Sequence, residues 1–129
     1  MWEEPDKKIL ASLIGEVITR ASLIKESGGD CVEIETDSSV YKMYHQRDCC
    51  EHVYLDYDSE QDLQHLVGQR VVNARLEHNT ELPPLEDVDV EYLWTFYIFE
   101  LETDTVVLRW FGTSNGYYSM DVSIRKKSK

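Results

Sequence analysis

The chain has 129 residues, 13 Lys plus Arg against 25 Asp plus Glu, and a formal charge of −12. That balance excludes the basic groove on which nucleic-acid binders rely, and it disfavours docking on anionic membranes. A content of 42% hydrophobic and 11% aromatic residues is enough to build a core, so a single folded domain over 1–129 is expected, with 1–8 and 126–129 as frayed ends.

From Ile9 the apolar spacing suits a short helix up to Gly15, and the β-branched Val17-Ile18-Thr19 then favours a strand. Ser27-Gly28-Gly29-Asp30 reads as a turn. Cys31 to Thr36 alternates with Val32 and Ile34 inward, and Val40 to His45 is a further strand. Ser59, followed three residues later by Asp62, resembles an N-cap; Leu63, Leu66 and Val67 form an apolar stripe ending at Gly68. A second short helix is therefore predicted over 60–67.

Arg70 to Leu76 is strand-like, and the stretch 79–90, with Pro83-Pro84, reads as an exposed acidic loop. Glu91 to Glu102 is a long strand that is apolar on both faces. It calls for cover on both sides, and a second copy docking along 92–99 is one source of it. Thr105 to Phe111 and Tyr117 to Arg125 follow. A three-residue Ser114-Asn115-Gly116 loop would pair them as a hairpin, with Trp110 opposite Met120, Leu108 opposite Val122 and Arg109 opposite Asp121. The fold class is thus α+β: mostly antiparallel sheet, about seven strands in meanders and hairpins, with two short helices.

The N-terminal residues show no signal-peptide pattern, and no apolar run approaches membrane-spanning length. Three cysteines, two of them adjacent, suit reduced thiols in a cytosolic protein rather than a secreted disulfide framework.

Tyr44-His45-Gln46-Arg47-Asp48-Cys49-Cys50-Glu51-His52-Val53-Tyr54 is one distinctive run. It is accompanied by Trp94-Thr95-Phe96-Tyr97 and by Arg109-Trp110-Phe111-Gly112-Thr113-Ser114-Asn115-Gly116-Tyr117-Tyr118-Ser119. Together these resemble a family of small proteins of unknown function encoded by tailed bacteriophages and prophages, over roughly residues 13–124. The resemblance implies a phage or prophage origin, the bacterial cytoplasm, and an accessory role directed at host machinery or defence. It implies no activity.

Four constellations are candidates for function. His45, Cys49 and His52 are zinc-type ligands, although the spacing fits no established finger and the plainer reading is a strand end with a buried thiol. The same residues could form a thiol nucleophile and base, but the flanking acids would raise the thiol pKa. A vicinal Cys49–Cys50 disulfide would be strained. Arg109, Trp110, Asn115 and Tyr117 could receive a nucleotide, against the simpler reading of a hairpin with Tyr117 in solvent.

The last constellation is acidic. Residues 48–104 hold fifteen acids against two bases, Arg70 and Arg75. Asp56, Asp58, Glu60 and Asp62 are close-spaced, as are Glu86, Asp87 and Asp89. The alternation at 56–62 lacks the glycine and terminal glutamate of a helix-loop-helix calcium site. Such a surface either serves solubility or docks on a basic partner. The expectation is a non-enzymatic protein with no cofactor that binds a host protein rather than nucleic acid or membrane.

Overall fold

The computed structural model describes residues 3–26, 29–48, 50–86 and 88–129. Among them eight strands form two antiparallel four-stranded sheets, with two helices and a 3-10 turn. The first sheet has the order β1 (Ile18–Glu26), β2 (Gly29–Thr36), β3 (Ser39–Tyr44), β8 (Ser123–Ser128). The second has the order β4 (His52–Leu55), β7 (Thr105–Ser114), β6 (Glu91–Leu101), β5 (Val71–Asn79).

Period-2 alternation places Val32, Ile34, Tyr41, Met43 and Ile124 of the first sheet in one core with Leu55, Tyr97, Phe99, Leu108 and Trp110 of the second. Each such side chain contributes about 1.5–3 kcal/mol on full burial. The inner faces are also tied by polar contacts. Tyr97 donates its hydroxyl to the Val122 carbonyl at 3.0 Å, and Asp30 Oδ2 accepts the Leu55 N–H at 2.9 Å. Helix α1 (Glu3–Ala11) packs on β5 and β8, an edge strand of each sheet. Helix α2 (Tyr57–Asp62) packs on β7, and the 3-10 turn Leu63–Leu66 packs on β1 and β7.

The segments 3–8 and 126–128, where loose ends were expected, belong to α1 and β8. The helix expected at 60–67 is shifted: it begins at Tyr57, behind Asp56, and tightens into the 3-10 turn before Gly68, whose φ of +83° suits the left-handed exit. Ser59 is not its cap; it lies inside α2, fully buried. Of the expected turn at 27–30, Ser27 and Gly28 lie outside the described residues, and Glu26 pairs with Gly29 across it.

The largest departure is the last strand. No β7–β8 hairpin forms: residues 117–122 are irregular, and β8 pairs with β3, setting Met43 opposite Ile124 and Tyr41 opposite Lys126. The reason is that both edges of β7 are taken, by β6 along its length and by β4 from Trp110 to Thr113. Val122 and Ile124 still reach the core, Ile124 from the opposite sheet and Val122 from the segment that leads into it. Arg109 consequently does not face Asp121; it meets Asp56. Gly116, at φ +91°, remains a turn residue, since a Cβ there would lie 2.6 Å from Glu91 Oε2.

Cys50 is disulfide-bonded, where a reduced thiol was expected. Cys31 is free and buried, and burial pushes its thiol up to about 11.

Candidate functional site

The doubly apolar β6 explains itself through its two faces. Thr95, Tyr97, Phe99 and Leu101 turn to the core, so Tyr92, Trp94, Phe96 and Ile98 turn outward. Register places Tyr54 of β4 opposite Phe111 of β7, and Phe111 opposite Trp94 of β6. The result is an aromatic row across the outer face of the second sheet. Phe111 lies at its centre, 4.9 Å from the Trp94 ring, 5.8 Å from Tyr92 and 5.9 Å from Tyr54, the last edge-on. Phe96, one row further along, is parallel to Trp94 within 4°.

The stretch expected as an exposed loop lies across this row as a strap. It begins with Asn79, whose Oδ1 accepts the N–H groups of Glu81 and Leu82 at 2.7 and 2.8 Å. Three aromatic side chains then hold it: Tyr92 donates to the Leu82 carbonyl at 2.7 Å, Trp94 Nε1 to the Pro83 carbonyl at 3.0 Å, and Tyr54 to Glu86 Oε2 at 2.9 Å. The strap thus supplies part of the cover that the outer face of β6 calls for.

Charge gathers on the same face. Arg109 donates from Nε to Asp56 Oδ2 at 3.0 Å, and its Nη2 lies 3.9 Å from Asp58. Asp56 sits at the α2 N-cap position without capping it, because its carboxylate is turned to Arg109. Arg75 is held between Glu77 and Glu100. Burial, then the bond to Glu86 and the charges of Glu86 and Asp56, push the Tyr54 hydroxyl up to about 12.

Of the acids singled out in the sequence, Asp56, Asp58 and Glu86 are brought together around Tyr54 and Arg109. Asp89 is exposed at the end of the strap, and Asp87 lies outside the described residues. Glu60 and Asp62 lie further along α2, where the helical turn breaks up the alternation of oxygens that a strand would have aligned. The tyrosine hairpin does not assemble with Arg109. Asn115 Oδ1 accepts the Tyr117 N–H, and Tyr117 is 83% exposed and stacked on Tyr118. Trp110 is in the core, and Arg109 is five strand positions before Ser114, about 17 Å away along an extended chain.

The run from Tyr44 to Tyr54 builds a second, smaller feature. A pocket of 160 Å³ is lined by Gly29, Asp30, His45, Arg47, Glu51, His52, Val53 and Tyr54. On its wall His45 Nδ1 lies 2.6 Å from the Asp121 carbonyl, so this nitrogen donates. Nε2 lies 2.7 Å from Glu51 Oε2, which also accepts the Asp48 N–H at 2.7 Å. Both ring nitrogens of His45 are therefore engaged, His52 points to solvent from β4, and Cys49 lies outside the described residues. Among the described residues no group of three potential ligands is placed to hold a metal ion.

Tyr54, Tyr92 and Trp94 as donors to the strap were missed in the sequence. The available signal was the alternation of aromatics at 92, 94 and 96 beside a Pro-Pro pair. The fold and this face define a small α+β domain with an acid-rimmed aromatic floor on the outer face of its second sheet. The chain belongs to the family described as a domain of unknown function, DUF7448, whose model matches residues 11–124. No curated protein and no solved structure matches it. Among the described residues no helix is long and apolar enough to cross a membrane.

Proposed function

We propose that the chain is a non-enzymatic accessory protein of phage or prophage type that binds a host macromolecule in the bacterial cytoplasm through the outer face of the second sheet. The observation that carries this reading is the convergence of acids from separate segments on one face. Asp56 and Asp58 come from the start of α2 and the residue before it, Glu77 from β5, Glu100 from β6, and Glu86 from the strap, while Arg75 and Arg109 are each held by carboxylates. A face of net negative charge attracts a basic partner and speeds encounter. The resemblance of the three sequence runs to phage proteins supports the origin and the compartment.

The test is capture from bacterial lysate at low and high salt. The intact chain is compared with a variant carrying Asp58→Lys, Glu77→Lys and Glu100→Lys. A partner should be retained at low salt, released at high salt and lost by the variant. Retention that is indifferent to both salt and charge reversal, or no partner at any salt, overturns the reading.

A further inference from the structure

The geometry points to the aromatic floor of the second sheet as a docking groove for a basic, proline-rich segment of a partner, occupied in this structure by the chain's own Leu82-Pro83-Pro84-Leu85. The inference rests on the binding reading above for its location and adds the chemistry of the occupant.

The occupant is legible from the strap. Proline fixes φ and has no N–H, and a residue that precedes proline is held extended. Leu82 and Pro83 both precede prolines, so this stretch is set for the polyproline conformation. In that conformation carbonyls find no partner within the segment. Here the carbonyls of two successive residues, Leu82 and Pro83, are met by Tyr92 Oη and Trp94 Nε1, side-chain donors that stand among aromatic rings. Indole and phenol donors beside flat rings are the means by which aromatic grooves receive proline-rich segments. The floor also extends beyond the strap, since Phe96 remains only partly buried.

The strap is an imperfect occupant of this groove. Leu82 and Leu85 are each 44% exposed, so much of their apolar surface is left in solvent. It also brings Glu86 onto a face that already carries Asp56, which crowds like charges around Tyr54. A partner segment flanked by Lys or Arg would reverse that charge mismatch while meeting the same two donors. The strap competes from within the chain, at the millimolar effective concentration of a short tether. The intact protein therefore binds such a segment weakly, and loosening the strap raises its affinity.

The probe is a labelled synthetic peptide with Leu-Pro-Pro-Leu between flanking arginines, followed by fluorescence anisotropy. A strap variant carrying Leu82→Gly, Pro83→Ser, Pro84→Gly and Leu85→Ser should bind it about tenfold or more tighter than the intact chain. Adding Trp94→Phe, or replacing both peptide prolines by alanine, should remove that gain. Equal binding of the alanine peptide, or no effect of Trp94→Phe, overturns the groove; salt-sensitive binding of both peptides would then leave the acidic-face reading standing alone. Should circular dichroism show the strap variant unfolded, Glu86→Ala cuts only the Tyr54 tie. That variant must also bind the proline peptide more tightly than the intact chain, and no gain there overturns the proposal.

Discussion

Ser59 Oγ accepts the backbone N–H of Arg109 at 2.8 Å and donates to the Val107 carbonyl at 3.3 Å. A helix side chain thereby continues the ladder on the edge of β7 beyond Leu55, the last residue of β4. Asp56 supplies the intermediate rung, its N–H bonding the Arg109 carbonyl at 2.8 Å. Sheet, helix and acidic face are joined at this one serine. Ser59→Ala should cost about 1–3 kcal/mol in urea unfolding, the penalty for leaving buried backbone groups unmet. It should also loosen Arg109, and a loss within the scatter of surface substitutions would show that the hydroxyl is dispensable.

His45 and Glu51 form a pair whose side chains are 6% and 0% exposed. Removing one partner of a buried hydrogen-bonded pair leaves the other's polar atoms unmet, at a cost of about 1–3 kcal/mol. His45→Leu should fall in that range by guanidinium unfolding. Glu51→Gln, which keeps a polar group beside Nε2 and the Asp48 N–H, should cost less, and the reverse order would contradict the pairing.

Gly112 explains why the irregular segment before β8 can lie against β7. A Cβ there would sit 2.9 Å from Met120 Cβ and 3.2 Å from Val53 Cγ2. Gly112→Ala should therefore destabilise by about 1–3 kcal/mol, as overpacking does. Met120→Gly in the same chain should recover part of the loss, and a double-mutant cycle measures the coupling.

Asp6 of α1 is buried, and its Oδ2 has no partner. Burial raises its carboxyl above the usual 3.8; the Ile124 N–H pulls the other way, and the charge of Asp121 adds to the rise. The folded chain thus holds this proton more tightly than the unfolded chain does. The associated stability is complete below the unfolded value and is lost as pH rises through the folded one. Asp6→Asn should raise the melting temperature at neutral pH, by about 3–6 °C for each kcal/mol recovered. The gap should close on acidification towards pH 3, and a gap independent of pH would refute the assignment.

Most of the strands were legible because each buries one face, and a period of two makes inward positions such as Val32, Ile34, Tyr97 and Phe99 recognisable along a single stretch. What was not legible was pairing at long range. Asn115-Gly116 is a sound local turn signal, yet it says nothing about whether the edge of β7 is vacant. β4 and Ser59, more than fifty residues upstream of that turn, had already taken it. The site was half visible for the same reason. Asp56, Asp58, Glu86 and Arg109 could be picked out by charge, but their convergence depends on which strands are neighbours. The donors Tyr54, Tyr92 and Trp94 looked like ordinary core aromatics.

The pairing of β8 with β3 also governs the order in which the fold can be completed during synthesis. The four strands of the second sheet follow one another along the chain, so β5 and β6 can pair first and the sheet can be completed as soon as β7 has left the ribosome. The first sheet must hold three strands with the flank of β3 unpaired until residues 123–128 emerge. During that interval β3 presents an open template to any other nascent chain. The arginine and lysines of β8 keep its own outer margin from inviting another strand after it has docked.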